Sequence, residues 1–208
     1  MEEKIQLKKD DELFLLGDFI DRGPNSKGVI DYLMKLIGEG FSVHPLLGNH
    51  EDMFLKAFKG FNYFAQWMRN GAEMTLKSFK LTPVIDSLDM VPNEYVRFFE
   101  SFRYYICLDD FILVHAGLNF ENEDPFEDKE AMIWSREFQY EGAPIENRII
   151  VHGHTPNKLN KIEEAILDKK PDLINIDGGC VYTKISGYGN LIALNLDTME
   201  ILSQKNID

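Results

Sequence analysis

The stretch LFLLGDFIDRG, residues 13–23, joins a continuous apolar run to a loop of charged side chains. Four consecutive apolar residues that end at Gly17 and Asp18 are typical of a β-strand buried on both faces. Past the turn at Gly23, the segment 26–37 repeats its apolar residues at helical spacing. A strand, a polar loop and a helix in this order indicate an α/β layered domain.

The rest of the chain continues this alternation of strands and helices. We expect a second strand over 41–47, a mostly helical region over 61–103, a hairpin of strands 104–107 and 111–114, and short strands over 148–151, 173–176 and 191–196. No linker-like stretch divides the sequence. The pattern therefore predicts a single domain over residues 1–208.

Polar residues collect where the predicted strands end. Four segments share this position: GDFIDRG (17–23), GNHE (48–51), VHAG (114–117) and VHGHTP (151–156). In layered α/β folds, ligands bind beyond the carboxyl ends of the strands, so we expect these segments to converge. Asp, Asn and His side chains together suit manganese, iron or zinc ions better than calcium. The sequence therefore predicts a metal site formed by these loops.

The composition restricts the partners of the protein. With 22 basic and 35 acidic residues, the net charge is −13, the opposite of the balance expected for a nucleic-acid-binding protein. No apolar run approaches the roughly 18 residues that a membrane span requires. The first residues contain no apolar signal-peptide core, and two cysteines cannot build a disulfide framework. We therefore expect a cytoplasmic protein with neither nucleic-acid nor membrane partners.

The four segments, in this order, resemble the motifs of the calcineurin-like metallophosphoesterases. Within them, the closest resemblance is to PPP-type serine/threonine phosphatases of the small bacterial and bacteriophage lambda type. Weaker similarities are Trp67 with Asn70-Gly71, the stretch IWSRE (133–137) and the segment INIDGGCVY (174–182). The resemblance extends over essentially the whole chain. It implies an α/β fold in which a layered β-sandwich is flanked by helices.

The resemblance also implies a role for each polar residue. Two divalent ions, manganese in the first place and iron or zinc as alternatives, would be held by Asp18, Asn49, His115 and His154, with Asp18 bridging them. His50 would protonate the leaving oxygen, and Asp21 would hold the tautomer of its ring. Arg22 and Arg136 would bind phosphate oxygens through their forked guanidinium groups.

Each residue also has a purely structural interpretation. An Asp that follows Gly at a strand end usually caps a turn, so Asp18 alone would be weak evidence for a metal site. His115 could be a hydrogen-bonded core histidine, and Asp21 with Arg22 could form a surface ion pair of little energetic value. We favour the functional interpretation because all four segments would otherwise match the family by accident.

One departure from the family's pattern concerns the first metal ion. The family opens with a strand and a G-D-x-H-G loop whose Asp and His hold that ion, and this sequence has no such motif. Residues 1–7 resemble the end of the helix that follows that loop. We expect the domain to lack its first strand–loop–helix unit, and an upstream segment to restore full activity and stability. Leu47 also stands where the family often has a basic residue.

Three functions follow as hypotheses. The first is a metal-dependent phosphoester hydrolase, in particular a serine/threonine protein phosphatase that acts on a phosphorylated protein or small phosphoester with a hydroxide activated by two metal ions. The second is a symmetrical dinucleoside tetraphosphate hydrolase. The third is an inactive, phosphatase-like binding module, if the first metal site is absent. Substrate choice would depend on the loops around 60–103 and 119–148.

Overall fold

The computed structural model describes residues 2–136, 145, 147–167 and 172–207. The chain forms two compact units, one of Lys8–Arg103 and the other of Met1–Leu7 with Tyr104–Asp208. Among the described residues, no helix has the length and apolar character needed to cross a membrane. A single domain over 1–208 remains a prediction.

The unit Lys8–Arg103 alternates strands with helices, as the sequence predicts. Helix α1 (Glu2–Ile5) precedes it, and its elements are β1 (Glu12–Leu15), α2 (Ser26–Gly38), β2 (Ser42–Pro45), α3 (Asn49–Ala57), α4 (Phe61–Arg69), α5 (Ala72–Ser78), a 3₁₀ helix (Ile85–Met90) and α6 (Asn93–Glu100). β1 and β2 pair in parallel, with Leu13 opposite Val43. The apolar run of β1 is half-buried, so the prediction of burial on both faces is wrong. In the described part of the chain, β1 pairs with β2 alone and lacks the cover that a central strand receives.

Helix α2 follows the predicted boundaries closely. The side chain of Asn25 accepts a hydrogen bond from the backbone N–H of Gly28, which caps the helix at its start. Its buried apolar residues are Ile30, Leu33 and Leu36. Val29 and Ile37, predicted on the same face, lie at the edge of this stripe and remain largely exposed.

Aromatic side chains connect the helices of this unit. The ring of Phe54 in α3 makes edge-to-face contacts with Trp67 of α4 and with Phe99 of α6, each at a centroid distance of 5.2 Å. All three side chains are fully buried. Such pairs add about 0.5–1.5 kcal/mol each beyond the burial of their surface. They hold α4 against α3, the helix that begins with the GNHE segment.

The second unit contains a mixed sheet in the order β3–β4–β5–β6. Its elements are β3 (Tyr105–Cys107), β4 (Phe111–Val114), α7 (Lys129–Trp134), β5 (Ile149–His152), α8 (Leu159–Ile166), β6 (Leu173–Asn175), β7 (Asn190–Leu194) and β8 (Ile201–Lys205). β3 and β4 form the predicted antiparallel hairpin, whereas β4, β5 and β6 run parallel. The carboxyl ends of β4 and β5 therefore lie at one edge. β8, which pairs with β7, is absent from the sequence predictions because its apolar residues do not alternate.

The core of this sheet consists of aliphatic side chains. Ile112 and Val114 of β4 pack with Met132 of α7 and with Ile150 of β5, and all four are fully buried. This packing fixes the ends of β4 and β5, after which His115 and His154 follow. Both units combine helices and strands, which confirms the predicted α/β class.

A hydrogen bond between α2 and α6 tests the packing of the first unit. The Tyr95 hydroxyl donates to Asp31 at 2.6 Å, and Asp31 also binds Lys27. Tyr95→Phe should lower the free energy of unfolding by about 1 kcal/mol, measured by urea titration. Tyr63→Phe, on the exposed side of α4, is the matched control and should change it by less than about 0.5 kcal/mol. Equal losses in both variants would contradict this account.

Candidate active site

The loop after β1 holds several predicted site residues in an unusual backbone conformation. Asp18, Asp21 and Arg22 have φ angles of 61°, 72° and 60°. Residues other than glycine adopt this left-handed region rarely, at a cost of about 1–3 kcal/mol each, and only where the surroundings enforce it. Such residues concentrate at functional sites.

The carboxylate of Glu51 holds this loop against the start of α3. It accepts hydrogen bonds from the backbone N–H groups of Asp18 (2.9 Å), Phe19 (2.7 Å) and Gly48 (3.0 Å). Glu51 is fully buried, and burial together with the charge of Asp18 raises its pKa to about 8. The three donors act in the opposite direction by stabilising the charged form. Glu51 thus joins two of the predicted motifs.

Gly48 is required by the close approach of these two motifs. A Cβ atom at this position would collide with the carboxylate and backbone nitrogen of Asp18. The backbone N–H of His50 donates to the same carboxylate at 3.3 Å. Asn49 is the first residue of α3, lies between Gly48 and His50 in the sequence, and is buried. The unit therefore brings the predicted ligand Asp18 close to the segment that carries the predicted ligand Asn49.

His50 and Asp21 form a buried, hydrogen-bonded pair. Nδ1 of His50 lies 2.6 Å from Oδ2 of Asp21, and both side chains are almost completely buried. Burial alone lowers the pKa of His50, but the hydrogen bond to Asp21 and the negative charge of Asp18 outweigh it and raise the pKa above its usual value. The ring is therefore oriented, and its protonated form is favoured, as a proton donor requires.

Two residues that the sequence analysis did not assign to the site also contact Asp21. The indole Nε1–H of Trp67 donates to Asp21, at 3.1 Å from Oδ1 and 2.9 Å from Oδ2. The hydroxyl of Thr75 donates to Oδ1 at 2.6 Å. The weaker resemblance to the family at Trp67, noted in the sequence, was a partial indication that this residue belongs to the site. Glu51 had a signal of its own, since a glutamate at the third position of a helix can accept from the backbone N–H of the N-cap residue, here Gly48.

Arg22 is exposed, and its backbone is fixed by the turn between α4 and α5. The N–H of Arg22 donates to the carbonyl of Gly71 at 3.2 Å. Gly71 has a φ of 106°, and a Cβ atom there would lie 2.8 Å from Cγ of Arg22. Glycine is therefore required both by conformation and by space. The Asn70-Gly71 similarity seen in the sequence thus marks a contact with the predicted phosphate-binding arginine.

In the second unit, His115 and His154 lie side by side at the edge of the sheet. Nε2 of His115 is 3.2 Å from Nδ1 of His154. Two imidazole nitrogens bound to one ion at about 2.1 Å are separated by about 3.0–3.4 Å in tetrahedral or octahedral geometry. The separation of the two nitrogens, which is also that of a hydrogen bond between the rings, suits a shared divalent ion.

Backbone contacts hold the two histidine loops together. The N–H of Gly153 donates to the carbonyl of His115 at 2.8 Å. The end of β6 supports the second loop, because the Asn175 side chain donates to the carbonyl of Thr155 at 2.9 Å. His154 has a φ of 68°, another left-handed residue at the predicted site. The INIDGG portion of the sequence thus has a supporting role.

Arg136 and its neighbours flank this edge. The ring of Trp134, at the end of α7, lies edge-to-face with His154 at a centroid distance of 6.3 Å. Arg136 follows two residues later and is exposed, whereas Glu137 and residues 138–144 of the predicted substrate loop lie outside the described residues. The phosphate-binding role of Arg136 remains a prediction.

His152, the last residue of β5, is also buried. Burial lowers the pKa of His152 to about 4, so this histidine stays neutral.

The predicted site residues thus assemble within each unit. Lys8–Arg103 gathers Asp18, Asp21, Arg22, Asn49 and His50, and the other unit gathers His115 and His154. A residue set of acids, an amide and imidazoles, carried on strained loops at strand ends, is suited to metal-assisted hydrolysis.

Comparison with known proteins identifies the class. Residues 2–182 match the family of the calcineurin-like phosphoesterases, and the chain belongs to this family. It is therefore a phosphoesterase hydrolase, as predicted. Phosphoesterases of this family depend on two metal ions.

Two named proteins are similar to this chain in sequence, and one solved structure is similar to it in fold. The chain is 27% identical to an asymmetrical bis(5'-nucleosyl)-tetraphosphatase PrpE of Anoxybacillus flavithermus, over 92% of this chain and 78% of that protein. A protein of the same name from a Geobacillus species is also 27% identical, with the same coverage. A solved structure assigned as a diadenosine tetraphosphatase has a TM-score of 0.60 at 20% identity, over 98% of this chain and 84% of that chain. This likeness confirms the fold. The finer resemblance to lambda-type protein phosphatases remains a prediction.

The Glu51 contacts can be tested by a change that keeps the shape of the side chain. Glu51→Gln places an amide N–H₂ against backbone donors and should lower the free energy of unfolding by about 2 kcal/mol. Glu94→Gln changes another first-turn glutamate that is exposed on α6, and it should cost less than about 0.5 kcal/mol. Chemical denaturation of both variants decides between these values. An unchanged free energy of unfolding in Glu51→Gln would contradict the role assigned to the Glu51 hydrogen bonds.

Proposed function

We propose that this protein hydrolyses dinucleoside tetraphosphates asymmetrically, releasing a nucleoside monophosphate and a nucleoside triphosphate. The buried His50–Asp21 pair, beside the loop of Asp18, carries the hydrolytic part of the proposal. The similarity to PrpE proteins over 92% of the chain supports the choice of substrate. These relatives favour the second hypothesis from the sequence, with asymmetrical in place of symmetrical cleavage, over a protein phosphatase.

The donor set suits the metal ions on which the family depends. Asp18, Asn49, His115 and His154 would hold a divalent ion, and Asp18 would be shared with a second. The 3.2 Å separation of the two imidazole nitrogens supports this assignment. When bound, such ions supply Lewis-acid activation of water and of the phosphoryl oxygens. Manganese is the ion proposed from the sequence.

His50 acts as the proton donor to the leaving group. Asp21 accepts the hydrogen bond from Nδ1, so Nε2 is the ring nitrogen that gives up a proton. Cleavage of the first phosphoanhydride bond expels the oxygen of a triphosphate, which is a far better leaving group than an alkoxide. Proton donation therefore accelerates the hydrolysis of a tetraphosphate less than that of a phosphoserine. A site that contains His50 can hydrolyse either substrate.

Arginines compensate the charge of the substrate. A tetraphosphate chain is strongly anionic, and this protein has a net charge of −13. Arg22, held by the contact with Gly71, and the exposed Arg136 would bind phosphate oxygens in bidentate geometry. The local field of arginines and metal ions, rather than the net charge, then determines whether the substrate binds.

Product analysis tests the proposal directly. The purified chain with manganese should convert P1,P4-diadenosine tetraphosphate into equal amounts of AMP and ATP, resolved by anion-exchange chromatography. His154→Gln, which removes a proposed ligand, should abolish this conversion. His44→Gln is the matched control, because His44 lies in β2, where it stacks on Phe14, and this variant should retain the activity.

Other products would contradict the proposal in distinct ways. ADP as the sole product would indicate symmetrical cleavage. Turnover of a phosphoserine peptide without turnover of the tetraphosphate would indicate a protein phosphatase. Binding without turnover of either substrate would indicate an inactive binding module.

A further inference from the structure

The carboxylate of Asp21 is held by more than its histidine partner. Oδ2 faces Nδ1 of His50 at 2.6 Å, while Oδ1 accepts from the Thr75 hydroxyl at 2.6 Å, and the Trp67 indole N–H bridges both oxygens. Asp21, Trp67 and Thr75 are buried, so these bonds are shielded from water. A carboxylate in this setting has little freedom to rotate.

We propose that Trp67 and Thr75 are positioning residues that fix Asp21, and through it the ring of His50, for proton transfer to the leaving group. This inference rests on the proposed function, because it assigns His50 the role of the acid. Neither residue touches the reacting atoms. Their effect is exerted through the orientation of one carboxylate.

Thr75 binds Asp21 at both its backbone and its side chain. Its hydroxyl oxygen accepts from the backbone N–H of Asp21 at 2.8 Å and donates to Oδ1 at 2.6 Å. Ser26 accepts from the same N–H at 3.1 Å. These bonds compensate the left-handed φ of 72° at Asp21. One threonine on α5 thereby fixes both the strained backbone and the rotamer of the carboxylate.

The chemistry of the two donors also suits this role. Indole N–H and hydroxyl groups donate hydrogen bonds without carrying charge. A lysine or arginine in their place would neutralise Asp21 and reduce its ability to stabilise a protonated His50. Neutral donors satisfy the buried oxygens and leave the negative charge directed at the imidazole. The pair therefore combines a fixed geometry with an undiminished charge.

The same segment supports the second group that would contact the phosphate. Gly71 lies between Trp67 and Thr75 and accepts the hydrogen bond from the backbone of Arg22. The stretch 67–75 thus contacts Asp21 through two side chains and Arg22 through its backbone. The end of α4 and the start of α5 act as one support for adjacent residues of the GDFIDRG loop.

The test compares variants of the full chain that differ by one donor. Thr75→Val keeps the shape and removes the hydroxyl, Thr75→Ser keeps the hydroxyl, and Trp67→Phe keeps a buried ring without the N–H. The first readout is kcat with manganese on phenyl phosphate and on 4-nitrophenyl phosphate, which differ in leaving-group acidity. The second is the proton NMR resonance of the His50–Asp21 hydrogen bond in the metal-free protein, assigned by its loss in His50→Asn.

We expect Thr75→Val to lower kcat on phenyl phosphate by about tenfold, part of the 10²–10⁴ that acid catalysis supplies. The loss on 4-nitrophenyl phosphate should be less than about threefold, because its leaving group needs little protonation. The downfield resonance should shift upfield or disappear. Thr75→Ser should recover most of both effects, and Trp67→Phe should resemble Thr75→Val.

Two results would overturn the inference. An unchanged resonance in both Thr75→Val and Trp67→Phe would show that neither residue orients the pair. Equal losses on the two substrates would show that Thr75 supports the fold alone. Circular dichroism verifies folding, and Trp67→Phe decides if Thr75→Val does not fold. If the wild-type chain turns over no phosphoester, the proposed function fails, and the resonance by itself still tests the positioning.

Discussion

The buried carboxylate of Glu51 is the interaction on which the site in the first unit depends. It accepts three backbone hydrogen bonds and so joins the loop after β1 to the start of α3. These hydrogen bonds compensate part of the cost of the left-handed Asp18 and of the close approach of Gly48. The position of His50, one residue before Glu51, follows from the same contact. A buried side chain thus helps to determine where Asp18, Asn49 and His50 lie.

The three carboxyl groups near this contact, those of Glu51, Asp21 and Asp18, differ in their burial and in their hydrogen-bond partners. Glu51 accepts from backbone N–H groups, Asp21 is held by neutral side-chain donors and His50, and the exposed Asp18 accepts from the backbone N–H of His50. Burial and partner type, rather than residue type, separate these functions. In the second unit, the imidazole nitrogens of His115 and His154 lie 3.2 Å apart, a separation that suits one shared ion.

The sequence predicts the parts of this arrangement that depend on local pattern. The apolar run before Asp18 and the hairpin before His115 locate strand ends, and strand ends locate ligands. Motif order then assigns His50 and Asp21. Contacts across 46 or 54 residues, such as those of Trp67 and Thr75 with Asp21, depend on how helices pack and leave no local pattern. The half-burial of β1 likewise depends on its neighbours rather than on its own residues.

The central proposal is that His115 and His154, whose imidazole nitrogens lie 3.2 Å apart in the second unit, bind one divalent ion. Calorimetric titration of manganese into the chelator-treated chain tests it without any substrate. His115→Gln and His154→Gln should each weaken the affinity for that ion by more than about tenfold, because each removes a direct ligand. His44→Gln should leave the affinity unchanged. Wild-type affinity in either His115→Gln or His154→Gln would contradict the proposal that both bind one ion.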